Sequence, residues 1–164
     1  RSLTDSESIA RLTDGTLVVG FEQRHRLRRF AGPGTAAKFF GAPPAIRASP
    51  PNGGAEAITR LWGNQLLVLS ERLEARPGIA AGWIGSGQEW RAVGFRKTGV
   101  FRPVGAATRE GEALAELSSP LVADNFEGIA VRPGSPGETL IYIVSDDNFH
   151  DLQRTLLLMF SLAE

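Results

Sequence analysis

The chain has 164 residues, of which 42% are hydrophobic and 22% charged, and its 18 basic and 18 acidic residues balance to a net charge of zero. This length is sufficient for one domain with a hydrophobic core, and the composition is that of an ordinary globular protein. The charge balance favours neither a nucleic-acid partner nor a membrane-surface partner, and no apolar run reaches the roughly 20 residues of a membrane-spanning helix. The absence of cysteine excludes disulfides, a thiolate nucleophile and a cysteine-ligated zinc site.

Short strands dominate the predicted elements, as in an all-β protein. Apolar segments flank turn signals such as Asp14-Gly15, a pattern typical of β-hairpins. A long loop rich in proline and glycine covers residues 31–54, and within it residues 36–40 are compatible with one helical turn. Residues 110–117 are the one further segment that is helical by residue type. The predicted strands cover residues 8–11, 16–21, 26–30, 56–61, 65–70, 80–84, 90–95, 128–132, 139–145 and 155–162.

A strand–turn–strand pattern occurs three times along the chain. Each copy begins with an acidic residue, a small residue and an isoleucine, and continues into an apolar strand that ends in a second acid. The starting acids are Glu7, Glu56 and Glu127, and the terminal acids are Glu22, Glu71 and the pair Asp146-Asp147. Repeats of about 40–50 residues with four short strands each are typical of β-propeller blades.

The repeats predict an all-β fold of the β-propeller type. Residues 1–164 are interpreted as a single propeller domain or fragment with about three to four blades, part of a larger closed propeller. An antiparallel sandwich or open barrel is the alternative. A further copy begins at residues 101–108 and then stops, so we predict that a segment is missing near residues 108–110. Since residue 1 is arginine rather than methionine, we also expect that a leader was removed.

The starting acids form the first candidate site. In a propeller the innermost strand of each blade lines the central channel, so matching residues lie in a ring around one axis. Clustered carboxylates repel one another, and such a ring favours a cation or basic partners. Hard oxygen donors without cysteine indicate Ca²⁺, or else Mg²⁺. The predicted metal ligands are Glu127, Asn125, Glu56 and Glu7. The alternative is that each glutamate caps or pairs within its own repeat.

The terminal acids form the second candidate site. Asp146 and Asp147 lie in a dense run of oxygen-bearing side chains that can position a water molecule for general-base chemistry, although polar turns have the same composition. The predicted catalytic residues are Asp146, Asp147 and Glu127. Basic residues follow the terminal acids, and arginine suits an anionic group. The predicted substrate-binding residues are Arg24, His25 and Arg154. An internal ion pair between acid and arginine in each repeat is the alternative.

Several segments resemble the phytase-like family, which is also described by an esterase-like activity of phytase. They are residues 124–132, 145–149 and 153–157 in the third repeat and residues 17–26, 69–72 and 99–103 before it. The resemblance implies an exported bacterial β-propeller, periplasmic or secreted, that hydrolyses phosphoric or carboxylic esters. The Glu-Gly start of the third repeat is also similar to calcium-dependent lactonase propellers of the gluconolactonase type. In those propellers the matching glutamate binds the metal, which favours Glu127 as a ligand.

Three functions follow from these patterns. The first is a metal-assisted hydrolase of phosphoric or carboxylic esters, with Ca²⁺ as cofactor and a small anionic ester as substrate. The second is a non-catalytic ligand-binding propeller whose acids and arginines form a structural ring of ion pairs. The third is a scaffold or interaction domain.

Overall fold

The computed structural model describes residues 5–97, 105–106, 126–145 and 154–163. The chain divides into two compact units, Arg1–Gly105 and Ala106–Glu164, and strands build both, which confirms the all-β prediction. The strands are β1 Ser6–Arg11, β2 Leu17–Phe21, β3 Arg26–Phe30, β4 Lys38–Phe39, β5 Ala55–Arg60, β6 Leu66–Arg76, β7 Ile79–Ser86, β8 Glu89–Arg96, β9 Phe126–Pro133, β10 Glu138–Ser145 and β11 Leu157–Ala163. The predicted helical segment at 110–117 and the predicted gap near 108–110 lie outside the described residues.

The first unit contains two antiparallel sheets in which consecutive strands are hydrogen-bonded neighbours. The first sheet has the order β1-β2-β3-β4 and the second sheet β5-β6-β7-β8, while the second unit contains a third sheet of order β11-β10-β9. A four-stranded antiparallel sheet is the unit of a propeller blade. The described residues show no closed ring of sheets, so the β-propeller stays a prediction. Within those same residues, no helix is long and apolar enough to cross a membrane.

The loop between the first two sheets differs from its prediction. Residues 36–40 do not form a helical turn, because Lys38 and Phe39 pair with Arg29 and Arg28 at the edge of the first sheet. A 3-10 helix forms later, at Pro44–Ala48, where proline sits in the first turn and needs no backbone donor. The fully buried side chain of Ile46 holds this helix in place. The proline-rich sequence did not indicate a helix here.

The first and second sheets enclose the hydrophobic core of the first unit. Val18 and Leu27 come from the first sheet, and Ile58, Val68 and Trp83 come from the second. Val18 and Leu27 alternate with more exposed residues along their strands, as expected where one face of a strand is buried, whereas Ile58 lies between two buried residues.

A close approach joins β2 to the second sheet. A Cβ atom on Gly20 would lie 2.8 Å from the Ala55 carbonyl oxygen, so only glycine leaves room there. The hydroxyl of Ser8 donates to the same carbonyl oxygen. At the turns, Asn64 Oδ1 accepts from the Thr13 backbone N–H at 3.0 Å and from its hydroxyl at 2.7 Å. The first two repeats are thus held together at Ser8 within β1 and at Thr13 in the turn that follows it.

The three repeats share a β-bulge at the starting glutamate. In β1 the neighbours of Glu7 pair with successive residues of β2, which leaves Glu7 as the extra residue. Glu56 is the extra residue of β5 in the same way, and Glu127 is the extra residue of β9. A bulge redirects a side chain and is frequent beside active sites. The repeat predicted from sequence therefore exists as one backbone feature in all three sheets.

Candidate functional site

Glutamates of the first two repeats meet beside their bulges. Glu56 is half-buried and its carboxyl group hydrogen-bonds to that of Glu22, which follows β2 and is 8% exposed. Glu7 and Glu71 add negative charge at the same place. We call Glu7, Glu22, Glu56 and Glu71 the carboxylate cluster. In it the starting acid of the second repeat meets the terminal acid of the first.

The environment of the cluster raises the pKa of Glu56 to about 9, from an ordinary value of 4.5. Burial of the carboxyl group is the largest cause, followed by the hydrogen bond to Glu22 and the charge of Glu22. A protonated Glu56 donates to the Glu22 carboxylate, and two carboxyl groups that share a proton avoid the repulsion of two buried charges. The pair can therefore hold a proton near neutral pH.

Gly54 connects the terminal acids of the two repeats through its peptide groups. Its N–H donates to Glu22 Oε1 at 3.0 Å, and its carbonyl oxygen accepts from the Glu71 N–H at 3.3 Å. In the first repeat the matching bond runs from the Glu22 N–H to the Asp5 carbonyl oxygen at 3.0 Å. The residue two positions before the bulge glutamate thus holds the backbone of the terminal acid in both repeats.

A buried serine precedes the terminal acid in the second and third repeats. The hydroxyl of Ser70 donates to the Gly53 carbonyl oxygen at 2.7 Å and accepts a backbone N–H three residues further on at 3.1 Å. Ser145 holds the matching place in the third sheet, where it donates to the Arg154 carbonyl oxygen at 2.7 Å. Both serines are nearly inaccessible to solvent, at 0% and 1% exposure. They fix the chain where it leaves the strand toward the terminal acid.

Replacing Ser70 by alanine is expected to lower the free energy of unfolding by about 1–3 kcal/mol, because buried backbone groups lose their hydrogen-bond partner. Urea denaturation of the variant and the wild type measures the difference. Ser6→Ala, at an exposed position of β1, is the control and should change the value by less than about 0.5 kcal/mol. Equal midpoints for Ser70→Ala and the wild type would show that the hydroxyl does not hold this segment.

The structure brings together part of the predicted metal site. Glu7 and Glu56 both belong to the carboxylate cluster. For Glu127 the structure describes the backbone of the bulge. The remaining predicted ligand and the two predicted catalytic aspartates lie outside the described residues, namely Asn125, Asp146 and Asp147. Within the described ranges, no group of three or more histidine, aspartate or glutamate side chains is arranged to hold a metal ion.

The donor chemistry of the cluster nevertheless fits a hard cation. Carboxylate oxygens are the ligands that Ca²⁺ prefers. Burial is the largest cause of the raised pKa of Glu56, and the neighbouring carboxyl groups add negative charge that a cation would neutralise. One member has a basic partner, since Arg72 Nε lies 2.9 Å from Glu71 Oε2. This contact is an internal ion pair of the kind that the alternative predicts, at an exposed arginine where such pairs contribute little to stability.

The predicted substrate-binding residues lie in different surroundings. Arg24 and Arg154 are exposed. His25 is half-buried, and its Nε2 donates to the Ser49 carbonyl oxygen at 3.1 Å. Its ring lies against Gly54, where a Cβ atom would come within 2.2 Å of Nδ1. The His25 ring therefore contacts the protein's own backbone on two sides.

The arginines after Glu22 crowd one another. Arg26 lies over the ring of Phe21, 4.6 Å from its centroid. Burial, followed by the charges of Arg28 and Arg24, lowers the pKa of Arg26. Nε of Arg28 is buried and has no hydrogen-bond partner in the described part of the chain. Crowded guanidinium groups of this kind favour an anionic partner.

Sequence reasoning missed three parts of the site: the bulge, the buried serine and the role of Gly54. A register shift and a hydroxyl's partners depend on neighbouring strands, so nothing local marks them. The Gly53-Gly54 pair, which a single alanine separates from Glu56, was the available signal. Paired glycines mark places where the backbone takes an unusual conformation or another group comes close.

The first two repeats match a known protein family. Residues 1–108, more than half of the chain, match the family described as Phytase-like: Esterase-like activity of phytase. The chain belongs to the phytase-like family. The match confirms the family resemblance, and in this phytase-like chain it includes every residue of the carboxylate cluster. No curated protein matches the chain, and no solved structure matches it.

Proposed function

We propose that this phytase-like chain is a metal-assisted hydrolase of phosphoric or carboxylic esters. The Glu22–Glu56 carboxyl pair, inside a carboxylate cluster built by two repeats, is the observation that carries the proposal. Ester hydrolysis needs a positioned water molecule and a group that accepts its proton, and carboxylates do both. Membership in a family described by esterase-like activity supports the same reaction class.

Ca²⁺, or Mg²⁺, is the proposed cofactor because the cluster offers hard oxygen donors and excess negative charge. When bound, the ion would polarise a phosphoryl or acyl oxygen. In the first unit the proposed ligands are Glu56 and Glu7, with Glu22 and Glu71 as neighbouring carboxylates. Glu127 and Asn125 are proposed as ligands from their matching place in the third repeat.

The other roles are divided between acids and arginines. Asp146 and Asp147, with Glu127, are proposed to hold the attacking water and accept its proton. Arg24 and Arg154 are proposed to bind the anionic group of a small ester, and their exposure supports access by such a substrate. An exported, periplasmic or secreted β-propeller is the architecture that we propose for this function. The bulge that all three sheets share supports the repeated architecture, and the export is proposed from the family resemblance alone.

The alternative is a non-catalytic ligand-binding or scaffold propeller with a structural ring of ion pairs. The ion pair between Glu71 and Arg72, at 2.9 Å, favours this second candidate. It differs from the hydrolase in one measurable respect: it predicts cation or ligand binding without turnover.

Hydrolysis of p-nitrophenyl phosphate and p-nitrophenyl acetate tests the proposal. We expect turnover of at least one ester in calcium buffer, loss of turnover with EDTA, and a decrease of about 100-fold or more for Asp146→Asn. Glu89→Gln, at an exposed position of β8, is the matched control and should hydrolyse like the wild type. Calcium binding without turnover would favour the binding propeller. Turnover that is indifferent to both EDTA and Asp146→Asn would overturn the proposed site.

A further inference from the structure

His25 contacts the residue that holds both terminal acids of the first unit. A Cβ atom on Gly54 would lie 2.2 Å from His25 Nδ1 and 2.8 Å from Cε1, so the ring packs directly against the Gly54 Cα. Real Cβ contacts are not this short, and any larger residue at position 54 would displace the ring. The requirement for glycine here comes from the neighbouring ring, which occupies the space of a side chain.

The ring itself is fixed from its other edge. Nε2 donates to the Ser49 carbonyl oxygen at 3.1 Å, and since a carbonyl can only accept, Nε2 carries the proton. Nδ1 is buried and has no hydrogen-bond partner in the described part of the chain. This ring nitrogen therefore faces the Gly54 backbone rather than a solvent-exposed ligand.

The Gly54 backbone in turn determines where the Glu22 carboxylate lies. Its N–H donates to Glu22 Oε1 at 3.0 Å, in a place where Glu22 is 8% exposed. On the preceding residue, the hydroxyl of Ser70 holds the Gly53 carbonyl oxygen at 2.7 Å. A turn of the Gly54 peptide would remove a donor from a buried carboxylate, and hydrogen bonds to charged groups are among the stronger ones.

We propose that His25 is a positioning residue, whose ring holds the Gly54 peptide so that its N–H orients Glu22 toward Glu56. The proposal rests on the proposed function, because the Glu22–Glu56 pair is the site that His25 serves. In this role His25 acts on Glu22 through the Gly54 backbone and does not contact the substrate. One edge of the ring packs against Gly54, and the other edge donates a hydrogen bond to the Ser49 carbonyl oxygen.

Titration of the Glu56 carboxyl carbon by NMR, in metal-free buffer, tests this role. In His25→Leu and Gly54→Ala we expect the titration midpoint of Glu56 to shift by about one pH unit or more, because its partner Glu22 loses the oriented N–H. His25→Gln keeps a donor for the Ser49 carbonyl oxygen. Its titration midpoint should therefore differ from that of the wild type by at most about half as much as the midpoint of His25→Leu does. Gly32→Ala is the matched control, since nothing lies within 4 Å of a Cβ atom there, and its midpoint should not move.

A double substitution keeps the test informative if Gly54→Ala folds poorly. Alanine at position 25 makes room for the new methyl group, so His25→Ala combined with Gly54→Ala should fold better than Gly54→Ala alone, with strongly non-additive effects. Additive effects would show that the two residues are not in contact and would overturn the proposal. Unshifted titration in folded His25→Leu would overturn it as well.

Kinetics separates positioning from substrate binding. For His25→Leu, positioning predicts a kcat decrease of about 10-fold or more with nearly unchanged KM, whereas direct substrate binding predicts a raised KM with kcat retained. A raised KM alone would overturn the proposal. If the wild type hydrolyses neither ester but the carboxyl titration shifts as expected, the proposed function fails while the positioning role of His25 stands.

Discussion

Replacing Glu56 by glutamine is expected to stabilise the chain in calcium-free buffer at pH 8, against the usual direction for a substitution in a partly buried site. The carboxyl group is half-buried beside Glu22, with the charges of Glu7 and Glu71 close by, and these neighbours disfavour its ionised form. Glutamine keeps a donor for Glu22 and never carries the charge. Solvent screens a half-buried group, so we expect a gain of about 1–3 kcal/mol rather than the full linkage value.

The sign of the pH dependence follows from the raised pKa. Below pH 4.5 Glu56 is protonated in both the unfolded and the folded chain, and its full contribution to stability is present. Between pH 4.5 and about 9 the unfolded chain has released the proton while the folded chain retains it, so stability falls as the pH rises. The difference between wild type and Glu56→Gln should therefore be small at pH 4 and grow toward pH 9.

Chemical denaturation at pH 4, 6, 8 and 9 without calcium measures this difference. The control is Glu89→Gln, which should follow the wild type at every pH. A Glu56→Gln variant that loses stability with rising pH as steeply as the wild type would contradict the shared proton. Added calcium should raise the melting temperature of the wild type and not that of Glu56→Gln, since the cation replaces the proton in relieving the repulsion.

Replacing Ile58 by alanine is expected to lower the free energy of unfolding by about 2–5 kcal/mol, the usual cost of truncating a buried isoleucine. Ile58 is 3% exposed, and its Cδ1 would lie 3.0 Å from a Cβ atom on Gly20 in the first sheet. The close approach leaves little room for the surroundings to collapse into the cavity. The measurement is the urea midpoint of the first unit's unfolding.

Ile9→Ala is the matched control, because Ile9 holds the same place in the first repeat and is 59% exposed. We expect a change of less than about 0.5 kcal/mol for it. Equal losses for the two substitutions would contradict the packing of the first sheet onto Ile58. The two isoleucines hold the same place in the repeat, so the difference between the two losses of stability measures the effect of burying Ile58.

The strands were predictable because their signals are local. An apolar segment on either side of a turn such as Asp14-Gly15 depends on near neighbours in sequence, and the β1–β2 and β5–β6 hairpins of the first unit formed where such signals lie. The sequence was less informative about β6, which runs on to Arg76 through exposed polar residues. In this extension Glu74 and Arg76 pair with β7 and Leu73 packs against the core, and one apolar side chain among charged ones does not make a strand pattern.

The candidate site was predictable as a set of residue types and not as a geometry. The repeated acids Glu7 and Glu56 were recognisable, and the structure brings them into one cluster with Glu22 and Glu71. The partner of Glu56 within that cluster was not predicted, because a bulge changes the direction of a side chain that plain alternation would place elsewhere.

The sequence by itself determined the all-β class, the repeat, the family and the acids on which the proposed function depends. Only the tertiary structure decided that Ile58 is buried while Ile9 is exposed, that Glu56 shares a proton with Glu22, and that His25 lies against Gly54. The reason is that burial, repulsion between charges and close packing act through space. They depend on how the first sheet meets the second, and residues far apart along the chain set that contact.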